Sequence, residues 1–190
     1  MGHIITDLKE TFRRGNIFIQ LIYINVSIFI IGTLINVFLQ LFQHSIPDIF
    51  GIFALPASFI RFFHQPWSII TYMFMHAGLL HILFNMLWLY WFGSLLLHFF
   101  SAKHLRGLYI LGGILGGLLY MVAYNVFPLF NQEVAVSTLV GASASVLAIV
   151  AATAYREPNY RVQLFLFGAI RLKYLALVVI GIDVLSILSL

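Results

Sequence analysis

Five stretches of this chain, 17–42, 67–97, 107–127, 138–155 and 174–190, stay apolar over lengths close to or beyond what a membrane span requires. A helix needs about 17 to 25 apolar residues to cross the hydrocarbon core of a bilayer. The runs are continuous and do not alternate, which favours helices that satisfy their own backbone hydrogen bonds over strands of a barrel. With 62% hydrophobic and only 8% charged side chains in 190 residues, the chain has too little polar surface to cover a soluble globule. The expectation is an all-α, polytopic membrane helical bundle with about five transmembrane helices. It forms a single domain over 1–190, in which 1–16 is a polar lead-in and 17–190 the bundle.

The segment between the first two spans is apolar but carries Pro47, Pro56 and Pro66, so it reads as a loop dipping into the membrane and not as a further span. Lysine and arginine set the orientation. With a cytoplasmic N-terminus, Lys9, Arg13, Arg14, Lys103, Arg106, Arg156, Arg161, Arg171 and Lys173 all fall inside, and only Arg61 outside. The net charge of +4 is thereby explained by topology, and no nucleic acid partner is expected. Nothing in the first sixteen residues has the pattern of a removable signal peptide. There is no cysteine, and the histidines lack thiolate or carboxylate companions at ligand spacing, so neither a metal nor an organic cofactor is expected.

Polar groups inside such runs need a reason. The second run reads HAGLLHILFNMLWLYWFG, interrupted by His76, His81 and Asn85; His81 and Asn85 are four apart and share a helix face. The fourth contains VGASASVLAIVAA, with Ser143 and Ser145 among glycine and alanine. Taken singly, each has an ordinary structural explanation: interhelical hydrogen bonds for the histidines and asparagine, close packing for the serines. Gly112, Gly113, Gly116 and Gly117 repeat the close-approach spacing in the third run and read as packing alone. Alternating helices, however, bring Ser143, His76, His81 and Asn85 to the same half of the membrane. There a possible nucleophile faces possible hydrogen-bond donors.

HAGLLHILFN together with GASAS resembles the rhomboid intramembrane serine proteases. In that family the second transmembrane helix carries H-x4-H-x3-N and the fourth opens with G-x-S-G. The resemblance extends over nearly the whole chain, including a long membrane-dipping loop before the second helix. It implies Ser143 as nucleophile and His81, Asn85 and the Ser143 backbone N–H as oxyanion donors. It further implies His76 as a supporting residue, Gly141 as the residue permitting the turn into the serine helix, and a transmembrane protein as substrate.

The sequence departs from the family pattern in several places. Ala144 follows the serine where glycine is usual, Ser68 follows Trp67 where arginine is frequent, and Leu97 stands where a glutamate is common. The family's dyad histidine belongs to a sixth helix, and no residue of 1–190 matches it. A serine without a base is a poor nucleophile, so this stretch of chain is expected to be proteolytically silent by itself. The alternative is a non-catalytic relative that binds transmembrane segments. Transport or proton conduction is disfavoured, because no polar residues continue the path through the inner half of the second helix.

Overall fold

The computed structural model describes residues 12, 15–42, 49–164 and 168–188. Helix α1 spans Ile17–Leu41; short helices α2 (Ile49–Phe53), α3 (Phe59–His64) and α4 (Ser68–Thr71) with a 3-10 turn at Tyr72–Phe74 form the first connection. Long helices α5 (Leu79–Phe99) and α6 (Ala102–Val126) follow, then α7 (Ser143–Arg156) and α8 (Leu172–Leu188). Two small antiparallel ladders join these parts, β1 (Leu55–Pro56) with β2 (Thr138–Leu139) and β3 (Arg161–Leu164) with β4 (Gly168–Arg171).

Helices α1, α5 and α6 are long and apolar enough to cross a membrane, whereas α7 and α8 are shorter apolar helices of 14 and 17 residues. The all-α membrane bundle stands, but two spans start later than the apolar runs do. In the second, Pro66 and the extended Gly78 confine the residues from Trp67 to Gly78 to short turns, so the helix begins at Leu79. In the fourth, Thr138 and Leu139 pair with Pro56 and Leu55, and Gly141 has φ +125°, so α7 cannot begin before Ser143.

What each helix buries follows from spacing. On α5 the buried residues Ile82, Asn85, Met86, Leu89, Phe92, Gly93 and Leu96 recur every three or four positions and line one stripe. The opposite side shows Leu79, Leu80, Leu83, Phe84 and Trp91, all exposed. A face that is apolar yet uncovered is stable only against lipid. On α6 the stripe is Leu105, Tyr109, Gly113, Gly117 and Met121, one residue per turn. A side chain at Gly112 would collide with the Ala148 Cβ, and one at Gly116 with the Ala144 Cβ. The glycines therefore let α6 and α7 approach to backbone contact, as small-residue interfaces in membranes do. Ala144 itself fills the space above Gly116, so its methyl is accommodated.

The first connection is braced internally by its own polar groups and tied to α6 by one more. Gln65 donates to the Ala54 carbonyl at 3.0 Å, Trp67 Nε1 to Ile52 at 2.9 Å and Thr71 Oγ1 to Phe53 at 2.7 Å. Asn125 on α6 reaches the Ala57 carbonyl at 2.9 Å, and the Ala57 N–H bonds to Ser137. Phe59, Ile60, Phe63 and Trp67 remain exposed on the same connection, an apolar surface suited to the membrane boundary.

Candidate active site at the helix termini

The two-residue connection between α5 and α6 makes them antiparallel, and the N-termini of α5 and α7 lie at the same end of the bundle. Ser143 is the first residue of α7, after Ala142 at its N-cap position. His81 is in the first turn of α5, with Asn85 one turn further in.

The closest juxtaposition is between His81 and the turn before Ser143. A Cβ built on Gly141 would lie 2.8 Å from both Cε1 and Nε2 of His81 and 3.9 Å from the Ser143 backbone N. The imidazole edge therefore packs directly on Gly141, two residues before the Ser143 N–H, in a contact that a side chain at 141 would block. The turn is pinned from behind: the Gly141 N–H donates to the Tyr72 carbonyl at 2.9 Å. Tyr72 is buried, and its hydroxyl donates to the Gly113 carbonyl of α6 at 2.6 Å.

Asn85 is buried and uses one of its two amide hydrogens on the His81 carbonyl at 3.0 Å. The other hydrogen remains for a further acceptor. Ser145 is also buried, its hydroxyl without a hydrogen-bond partner among the described residues and packed where a Gly113 side chain would be. It serves the α6–α7 contact.

His76 does not sit on the second helix as the sequence reading placed it. It lies in the extended turn before Leu79, because Gly78 interrupts the helix. Its ring meets the His81 ring edge-on with centroids 5.2 Å apart. Both its ring nitrogens are buried without a partner among the described residues. Burial first, and the neighbouring imidazole second, hold the His76 ring down to about 4. His76 also lines a cavity of about 390 Å³ between the turn and α1, together with Thr33, Asn36, Met75, Gly78 and Val140.

No imidazole among the described residues hydrogen-bonds to Ser143. His98 bonds to the Ser94 carbonyl at 3.0 Å and His104 to Ser101 at 2.9 Å, both at the far end of α5 and α6. His3 and His44 lie outside the described residues. Groups of histidine and acid able to hold a metal are absent among the described residues.

Two residues that the sequence reading passed over support the turn that holds Gly141. Asn25 is buried on α1, and its amide donates to the Tyr109 hydroxyl at 3.0 Å. Tyr109 on α6 in turn donates to the Met73 carbonyl at 3.3 Å. Asn25 had a signal, being an amide within an apolar span; Tyr109 and Tyr72 had none, because a tyrosine in an apolar run is common.

These features define an integral membrane protein of bundled helices with a serine at one helix start and an imidazole and a carboxamide beside it. A Rhomboid domain matches residues 64–190, and the chain belongs to the rhomboid family. Over 128 residues, 63% of the chain, it is 27% identical to RHOMBOID-like protein 12, mitochondrial, of Arabidopsis thaliana, covering 38% of that protein. Over 85 residues, 45% of the chain, it is 31% identical to Inactive RHOMBOID-like protein 8 of the same plant, covering 24% of it. The matched segments are thus less than half the length of these relatives. No solved structure matches the chain.

Proposed function

We propose that the chain carries the nucleophile and oxyanion half of a rhomboid-type intramembrane serine endopeptidase. Ser143 is the nucleophile. Its own N–H, the His81 ring and the free amide hydrogen of Asn85 receive the negative charge of the tetrahedral intermediate. The observation that supports this reading is the packing of the His81 ring against Gly141, two residues before Ser143. Donors fixed around a developing oxyanion in a water-poor site each lower the barrier by about 3 kcal/mol, and they cost no reorganisation when the charge appears. The cavity beside His76 offers room for a substrate side chain next to the cut bond. The substrate is a transmembrane protein, and the N-terminus is cytoplasmic by the lysine and arginine distribution.

Among the described residues no imidazole hydrogen-bonds to Ser143, and a positioned base contributes about 10² to 10⁴-fold. Residues 1–190 by themselves are expected to be silent or nearly so, with the base that takes the Ser143 proton lying outside the described residues. Free imidazole offers a direct test. In liposomes holding the protein and a transmembrane substrate, imidazole should restore slow cleavage that rises with its neutral fraction and disappears in Ser143→Ala. Cleavage that persists in Ser143→Ala, or no rescue at any imidazole concentration, counts against the assignment.

The similarity to a relative named inactive, together with the lack of a hydrogen bond to the Ser143 hydroxyl among the described residues, favours a second reading: a non-catalytic membrane protein that binds transmembrane segments. It requires substrate capture that is unchanged in Ser143→Ala and no rescue by imidazole.

A further inference from the structure

At the end of the bundle away from Ser143, α7 and α8 are joined through the β3–β4 ladder, in which Arg161 pairs directly with Arg171 and Val162 with Ile170. Alternation puts Val162 and Ile170, both half-buried, on one face, with Val162 packed against the core. Arg161, Gln163, Ala169 and Arg171 are on the other, exposed face. Like charges directly opposite each other weaken a two-stranded ladder. Among the described residues no acid pairs with either arginine. Glu157, the acid nearest in sequence, is half-buried and forms no ion pair among the described residues. Two more cations flank the base of the ladder: Arg156 ends α7, and the Lys173 N–H bonds to the Pro158 carbonyl.

The depth of this ladder is marked independently. Tyr155, Tyr160 and Tyr174, on α7, the connection and α8, are 92%, 43% and 53% exposed. A belt of exposed tyrosines around the end of an apolar bundle belongs at the boundary between hydrocarbon and headgroups. The unpaired arginine face is therefore held at the level where lipid phosphates are concentrated, which singles out lipid among possible anionic partners.

We infer that the Arg161–Arg171 face is a binding site for the headgroup of an anionic phospholipid. The phosphate lies between the two guanidinium groups and supplies the counter-charge that the ladder lacks; Arg156 and Lys173 add to the local field. Guanidinium forks match phosphate oxygens in two-point geometry, so arginine at both positions suits a phosphate better than a diffuse field would require. This site is independent of the peptidase reading, since it uses no residue of the Ser143 end.

The test is a native mass spectrometry titration of the 190-residue protein in neutral detergent, with phosphatidylglycerol, phosphatidylcholine and inorganic phosphate as separate ligands. Phosphatidylglycerol should bind at least about 10-fold more tightly than phosphatidylcholine, and Arg161→Gln with Arg171→Gln should weaken it by about 10- to 30-fold. Lys103→Gln with Arg106→Gln, which removes charge from the first turns of α6 at the same end, should change it less than about 3-fold. Arg171→Glu guards against misfolding: it creates an opposite-charge cross-strand pair, so the melting temperature should hold or rise while lipid binding is lost. Equal binding of the two lipids, retained binding in Arg171→Glu, or an equal loss in the Lys103/Arg106 variant overturns the proposal. Displacement of the lipid by millimolar inorganic phosphate assigns the face to a free anion and overturns it as well.

Discussion

The His81 imidazole occupies the space that a side chain at position 141 would need, with the Gly141 Cβ position 2.8 Å from its Nε2. Two constraints meet at this glycine. The backbone has φ +125°, a conformation closed to residues with a Cβ, and the only room for a methyl group is already filled by the ring. Gly141→Ala should lower stability by about 1–3 kcal/mol, since strained backbone alone costs that much. It should also push His81 away from Ser143. A thermal melt in detergent reads the first effect and imidazole-rescued cleavage the second; an alanine variant with unchanged melting and rescue contradicts this geometry.

The glycines of α6 divide by what faces them. Gly112 and Gly116 meet alanine methyls of α7, while nothing lies within 4 Å of a Cβ at Gly107. Gly116→Leu should therefore separate α6 from α7 and prevent stable folding. Gly107→Ala, at a helical position with open space, should stabilise by about 0.5–1 kcal/mol through reduced backbone entropy. Melting temperatures of the two variants, moving in opposite directions, check the assignment.

Asn25 and Tyr109 form a buried pair across α1 and α6 that continues to the Met73 carbonyl. Asn25→Val leaves the Tyr109 hydroxyl one partner, and Tyr109→Phe leaves the Asn25 amide bonded to the Leu21 carbonyl at 2.8 Å. Each change should cost about 1 kcal/mol, with a coupling energy of about 0.6 kcal/mol in the double-mutant cycle, the size usual between helices in membranes. Simple additivity would show that the pair is not a bond in solution.

His76 has its folded-state value lowered to about 4. The neutral ring is the form the fold accepts, so stability from this residue is complete above the unfolded value near 6.5 and falls as the pH drops toward about 4. Unfolding midpoints measured between pH 7 and 4 should decline, and His76→Phe should flatten part of that decline. A profile identical in the variant would place the titrating group elsewhere.

The helical class and membrane character were legible because a membrane leaves a chain few choices: long continuous apolar runs can only be helices there. The pairing of His81 with Asn85 was legible too, since a spacing of four fixes one face of any helix. Helix starts were harder to read. Apolar residues around Trp67 and Thr138 look like span, yet they turn or pair with Pro56 and Leu55, because non-local ladder bonds leave no trace in local composition. The β3–β4 ladder was invisible for the same reason, its strand residues lying between two apolar helices.

By itself, then, the order of residues determined that this protein is a bundle of membrane helices and which polar groups stand out along them. Only the tertiary structure decided that His76 precedes its helix, that Tyr72 holds Gly141 and that Gly141 gives its space to His81. Burial and spacing are written along one chain, whereas contact between helices depends on how closely small residues such as Gly112, Gly116 and Ala144 let their backbones approach.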